Sequence, residues 1–291
     1  MDNKLEQLQE EYRNVPIPDE LDFVVHKALK AKKKRKVSSK WIAGVSAAAM
    51  VFIIGINSSA TVANAFSVIP GVDSIVKVLT FREFAVNEPT YNADIKVPVI
   101  TNLDNKELEL GLNQKYLAEN KKLFDEFQAE METMKKEGDG HLGVDTGFEV
   151  KTDNDSILSI GRYVVNTVGS SSTTMKYDTI DKKNQILLNL PMLFKDDRYM
   201  TVIGENISNQ MIAQMKADPD KIYWVATEEN KDPLYDFKSI KKDQSFYINN
   251  SGQLVITFDK YDVAPGYMGL AEFVIPTEVI SDILVSHNLI K

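Results

Sequence analysis

The chain has 291 residues, 43% hydrophobic and 26% charged, a composition that packs into one or two globular units. It contains no cysteine, which excludes disulfides, thiolate metal sites and a cysteine nucleophile. Its net charge of −8 is unevenly placed: residues 1–40 hold 10 Lys+Arg against 7 Asp+Glu and the remainder 24 against 35, so a +3 segment precedes a −11 one that would repel nucleic acid and attract a cationic partner.

Residues 1–40 divide at Pro16-Ile17-Pro18. Leu5, Leu8 and Tyr12 recur at helical spacing before it, and Leu21, Val24, Val25, Ala28 and Leu29 after it, with Asp19 placed to cap the second helix. Two short amphipathic helices cannot form a core alone and are suited to folding against a larger partner. A disordered polar tail is the competing reading. His26 has no His or Cys nearby, so a zinc-binding module is excluded.

The basic cluster Lys32-Lys33-Lys34-Arg35-Lys36, with Lys40, precedes 16 uncharged residues from Trp41 to Ile56. Small neutral residues prolong that run to Val62, toward the ~20 that a spanning helix needs. Residues 41–62 are therefore expected to cross a membrane once, with the N-terminus held in the cytoplasm by the cluster and the C-terminal part outside. Ala63-Asn64-Ala65 is an A-x-A signal-peptidase site, with scission before Phe66. A plain secretory signal peptide is the other reading, although 40 residues before the apolar run exceed what such a peptide requires. Regulated cleavage of a resting anchor reconciles the two.

From Phe66 to Leu79, Val72, Ile75, Val76 and Leu79 share a helical face, which predicts a helix lying on the membrane surface or packed on the domain. Either position would hide the bond after Ala65. Tyr91–Ile100 alternates as a strand, and Asn102–Glu137 is a long helix with a stripe of Leu103, Leu108, Leu112, Tyr116, Leu117, Phe124 and Phe127, ended by Gly138-Asp139-Gly140. Strands are expected at His141–Val150, Ser156–Val168 and Thr173–Ile180, joined by turns at Thr152–Asp155 and Gly169-Ser170-Ser171-Ser172. After a turn at Asp181–Asn184, Ile186-Leu187-Leu188 opens a second half. A helix from Asp196 or Asp197 to Ala217 buries Tyr199, Val202, Ile203, Ile207, Met211 and Met215. Strands follow at Ser245–Ile248, Leu254–Phe258 and Leu270–Ile275, then a helix from Pro276-Thr277 with Val279, Ile280, Ile283 and Leu284 on one side. The expected class is α+β, with helices on a mostly antiparallel sheet. The division is 1–40 cytoplasmic, 41–62 transmembrane with the processing site at 63–65, and an outer domain in two parts, 66–185 and 186–291.

Catalytic patterns do not emerge. His26, His141 and His287 lack H-x-x-H or H-E-x-x-H companions, and no nucleophile elbow or phosphate loop occurs. Asp153, Asp155 and Asp181 read as solvated turn residues. No enzyme, cofactor or metal is inferred. The informative segment is Phe258–Gly269, where Pro265-Gly266 forces a turn and sets Tyr267 and Met268 at its tip. A tyrosine on a rigid loop makes a binding anchor; a packing loop with the ring tucked under the sheet is the alternative.

These segments resemble the anti-sigma-V factor family along nearly the full chain. The resemblance is carried by Leu5-x-x-Leu8-x-x-Glu11-Tyr12, Pro18-x-Glu20-Leu21, Ile69-Pro70 with Ser74-Ile75-Val76-Lys77, Asn105–Glu109 and Ile180–Asn184. It continues through Leu193-Phe194-Lys195-Asp196-x-Arg198-Tyr199, Asp218-Pro219-x-Lys221-Ile222-Tyr223-Trp224 and Val263–Gly269. The second half also resembles DUF3298, a domain of unassigned function. The resemblance implies that Leu5, Leu8, Tyr12, Leu21, Val24, Val25 and Leu29 hold an extracytoplasmic-function (ECF) sigma factor at the membrane. It implies that the outer domain binds C-type lysozyme through Ser170, Ser171, Ser172, Pro265, Gly266 and Tyr267. Binding would expose Ala63 and Ala65, before Phe66, to signal peptidase, and a site-2 protease would then cut within residues 41–56. The freed sigma factor would turn on lysozyme-resistance genes. A secreted or anchored cell-wall-glycan-binding module and a lysozyme inhibitor without signalling are the competing functions.

Overall fold

A computed structural model describes residues 77–138, 140–227 and 237–291. The sigma-binding, membrane-spanning and cleavage-site expectations all fall on residues outside these, as does Phe66–Val76. Among the described residues no helix is long and apolar enough to cross a membrane.

The chain enters on β1 (Lys77–Asn87), antiparallel to β2 (Tyr91–Thr101). The helix expected to reach Leu79 is thus corrected at its end. Lys77, Val78 and Leu79 are extended and pair with Thr101, Ile100 and Val99, because apolar residues at positions 78, 79, 84 and 86 meet a sheet partner that local periodicity does not reveal. The long helix α1 (Lys106–Glu137) starts after an Asn105 cap whose side chain accepts from the Leu108 amide. Its buried face is Leu112, Tyr116, Asn120, Phe124, Phe127 and Met131, and Gly138, at φ 94°, closes it. It returns the chain to β3 (Leu142–Asp153), parallel to β2, making a β2–α1–β3 crossover. β4 (Ile157–Val168), β5 (Ser170–Asp181) and β6 (Ile186–Leu188) complete a six-stranded sheet in sequence order, antiparallel at every pair but β2–β3.

The serine segment also departs from the expected turn. Ser170, Ser171 and Ser172 are not a turn but the start of β5, paired with Val168, Thr167 and Asn166. Gly169 alone makes the reversal, at φ 71°, a conformation costly for any residue with a Cβ.

The helix α2 (Tyr199–Ala217) and a three-stranded antiparallel sheet of β7 (Phe246–Ile248), β8 (Leu254–Phe258) and β9 (Ala271–Ile275) form the rest. The last expected helix is short, α3 (Thr277–Ile280), followed by a tight turn at Ser281–Ile283. β4 serves both cores by strand alternation: Leu158 and Ile160 pack with α1, while Ile157 joins the α2 core and Ser159 points to the Ile248 carbonyl. Thr152 donates to the same carbonyl at 2.6 Å, so β7 is seated directly on β3 and β4. The architecture is α+β, with mostly antiparallel sheets.

Candidate functional site

The far end of the β4–β5 hairpin rises clear of the core. Thr167, Val168, Gly169 and Ser170 are exposed and Ser171 and Ser172 half-buried, because the second sheet covers only the other half of these strands. The segment after β8 climbs beside it. The Lys260 amide donates to the Thr173 carbonyl at 3.3 Å, and the Lys260 ammonium donates to the Ser171 carbonyl at 2.6 Å and to Ser171 Oγ at 3.2 Å. Asp259 accepts from the Met175 amide at 2.7 Å; burial pushes its carboxyl up, against that hydrogen bond. Two candidate segments about ninety residues apart in sequence are thereby fastened along one edge.

The tip is shaped by a glycine that a side chain would destroy. Tyr261 has φ 76°, uncommon for an aromatic residue, and its ring lies where a Gly266 Cβ would be. The Lys260 ammonium sits 5.1 Å from that ring's centroid. Pro265 and Gly266 are half-buried and open a one-turn helix, Gly266–Met268, closed by Gly269 at φ 69°. Tyr267 is 65% exposed, the most exposed large apolar side chain among the described residues, and its hydroxyl donates to the Asp220 carbonyl at 2.8 Å. The ring is thus held by its far end while its faces stay open. Tyr261 at 46% and Val168 at 50% add apolar surface. The loop's inner residues, Val263 and Ala264, are buried, and the Val263 carbonyl accepts from the Trp224 amide.

Sequence reasoning singled out Pro265, Gly266 and Tyr267 but missed Lys260 and Tyr261. The pull of Tyr261 on Gly266 had a trace in the glycine itself; the Lys260 contact had none, since its acceptor is a main-chain carbonyl of another strand. Leu5, Leu8, Tyr12, Leu21, Val24, Val25, Leu29, Ala63, Ala65 and Phe66 lie outside the described residues.

A second polar constellation supports the hairpin from the α1 side. Arg162 donates from Nε to Asp178 at 3.1 Å and from Nη1 to Glu119 at 2.6 Å, and its guanidinium lies 4.3 Å from the Tyr116 ring centroid. Lys115 donates to the other Asp178 oxygen at 2.9 Å. Burial pushes the Asp178 carboxyl up, but Arg162 and Lys115 outweigh it and hold the group below the usual carboxylate range. Burial pushes the Tyr116 phenol far up, with Asp178 adding to it. This set is charge-paired and structural in character. Among the described residues no three His, Cys, Asp or Glu are grouped to hold a metal.

The family described as a protein of unknown function, DUF3298, matches residues 192–278. The chain is 47% identical over 292 aligned residues to the anti-sigma-V factor RsiV of Bacillus subtilis (strain 168), covering all of both. Two solved DUF3298 structures share the fold. One, from Bacteroides fragilis, has a TM-score of 0.50 at 17% identity, over 74% of this chain and 95% of the other. The second, from Pseudomonas aeruginosa PAO1, has 0.51 at 13%, over 76% and 99%.

Proposed function

The chain belongs to the anti-sigma-V factor RsiV family, and from that premise we propose that it is a single-pass membrane anti-sigma factor whose outer domain is a lysozyme receptor. Residues 1–40, through Leu5, Leu8, Tyr12, Leu21, Val24, Val25 and Leu29, hold an ECF sigma factor in the cytoplasm. Residues 41–62 anchor the chain, and 66–185 with the DUF3298-like 186–291 face outward. It performs no catalysis: it acts by holding and releasing a partner.

The observation that supports the receptor reading is the edge joined by Lys260. Ser170–Ser172 and Pro265–Tyr267 converge there beside the exposed rings of Tyr261 and Tyr267. A rigid tyrosine, fixed at its hydroxyl and flanked by apolar surface, suits insertion into a cleft of a folded partner at low entropic cost. The net −11 beyond residue 40 suits a cationic partner such as C-type lysozyme. Engagement of this edge leads to signal-peptidase cleavage after Ala63-Asn64-Ala65, before Phe66. Site-2 proteolysis within residues 41–56 then frees the sigma factor.

The test is to add lysozyme to cells bearing the full chain and follow the N-terminal fragment. Shortening is expected with the native chain and not with Ala65→Trp. An intact chain under saturating lysozyme refutes the receptor reading. Failure of residues 1–40 to retain a sigma factor in a pull-down refutes the anti-sigma assignment of that segment. Retention on peptidoglycan, without lysozyme binding, would favour the glycan-binding module instead.

A further inference from the structure

The outer edge of β5 is covered at both ends and open between them. Along a strand in an antiparallel ladder, the amide and carbonyl of one residue point to the same side, and alternate residues share that side. On the outer side, Asp181 and Thr179 pair with Ile186 and Leu188 of β6. The Met175 amide donates to Asp259 at 2.7 Å, and the Met175 carbonyl accepts from Ser245 Oγ at 3.4 Å. The Thr173 carbonyl accepts from the Lys260 amide at 3.3 Å. Tyr177 lies between these two covered stretches, so its amide and carbonyl point the same way. Among the described residues nothing takes them up.

They face a cleft of about 650 Å³. Four consecutive residues of β5, Met175 to Asp178, line it, which a strand does along its edge and not on a face. At one end the chain leaves β6 at Leu188 and turns through Asn189 into the one-turn helix Leu190–Leu193. Ser245 and Phe246 close the other end. Leu188, Leu190 and Phe246 are buried and give the cleft apolar walls. Thr179 and Met175, whose partners mark the two ends, are four residues apart, about 14 Å along the strand. The open stretch between those partners is the length of about three extended residues.

Each end carries groups suited to a chain terminus. Asp259 reaches the Met175 end, and burial pushes its carboxyl up, so an ammonium placed beside it favours the charged form. Toward β6, the Lys115 ammonium sits on Asp178 at 2.9 Å and the exposed Asn189 lines the wall. We infer that this cleft binds a free peptide of about three residues, extended and parallel to β5 as a short added strand. The Tyr177 amide then donates to the carbonyl of the peptide's first residue, and the Tyr177 carbonyl accepts from the amide of its third. The peptide's amine meets Asp259, and its carboxylate lies toward Lys115. The closed ends select a free peptide over a segment of a longer chain, since neither terminus can continue along the sheet. Of the groups that bind it, Asp259 alone also belongs to the lysozyme-binding edge.

Tri-alanine is the probe, titrated into the full chain in detergent and followed by saturation-transfer NMR. Saturable binding with a Kd on the order of 1 mM is expected for a ligand of this size. Acetylating its amine, or methylating the amide nitrogen of its third residue, should each weaken binding about tenfold or more. Penta-alanine should bind no more tightly than tri-alanine. Asp259→Asn keeps an acceptor for the Met175 amide and removes the charge, so it should bind the free and acetylated peptides within about twofold of each other. Absence of saturation by tri-alanine up to roughly 10 mM overturns the cleft assignment. So does equal binding of the native chain to either modified peptide. Penta-alanine binding about tenfold tighter overturns the free peptide in favour of a segment of a longer chain. A preference for the free amine that survives in Asp259→Asn overturns the role of Asp259. Where that variant does not fold, the two modified peptides decide the matter on the native chain.

Discussion

Replacing Lys260 with Met isolates what joins the two halves of the candidate binding edge. Methionine keeps most of the aliphatic stem and removes the ammonium, and with it the 2.6 Å bond to the Ser171 carbonyl, the weaker 3.2 Å contact to Ser171 Oγ and the charge over the Tyr261 ring. A hydrogen bond from a charged donor contributes about 1.5–3 kcal/mol. Lys260 is half-buried, so water recovers part of that, and the backbone bond to Thr173 and the Asp259–Met175 bond remain. A net loss of ~1–2 kcal/mol in positioning follows, equivalent to lysozyme binding weakened about 5–30-fold. Titration calorimetry of the full chain in detergent gives the affinity, and Trp224 fluorescence during heating reports on the fold. Ser171→Ala, which loses only the longer contact, should weaken binding less than about threefold. Lys260→Met binding within twofold of native, alongside a large loss in Tyr267→Ala, would refute the claim that the tether shapes the edge.

Tyr267→Ala should cost at least tenfold in lysozyme affinity, with stability changed by less than about 0.5 kcal/mol, since the ring is mostly in solvent; a parallel loss of melting temperature would instead mark a packing role. Arg162→Met leaves Asp178 buried with Lys115 alone, and should destabilise the domain by about 3–5 kcal/mol. Pairing it with Asp178→Leu should recover most of that in urea unfolding, and no recovery would argue against a charge-paired cluster. The folded Asp178 carboxyl is held below its ordinary value, so its stabilisation is complete above pH ~4 and lost as pH falls through the lower folded value. Asp178→Asn should accordingly be less stable at pH 7 but flatten the acid limb of the melting-temperature profile. Gly204→Ala should destabilise α2 strongly, because a Cβ there would meet Ser239 Cα at 2.5 Å and the Lys238 carbonyl at 2.6 Å.

The elements most legible in the sequence were those whose own period betrays them. The Tyr116, Phe124 and Phe127 stripe and the Tyr199–Met211 stripe recur at helical spacing, and burial of each face follows from it. β7, β8 and β9 were legible from short β-branched runs between turn residues. Leu79 was misplaced because Val72, Ile75, Val76 and Leu79 fit a helical face equally well, and only the pairing of Lys77–Leu79 with Val99–Thr101 decides for a strand. Composition likewise made Gly169–Ser172 look like a turn, although one glycine at positive φ is sufficient and the serines pair with β4.

By itself the sequence determined family membership, the charge asymmetry, the Pro265-Gly266-Tyr267 turn and the α+β class, because these depend on residue identity and on spacing along one segment. Tertiary structure alone decided that Lys260 fastens the Ser171 strand to the Tyr267 loop, that Arg162 and Asp178 share a buried pair, and that Tyr177, Leu188 and Ser245 line one cleft. Each of these joins residues from separate strands or loops, and a local period carries no information about which strand will lie beside which.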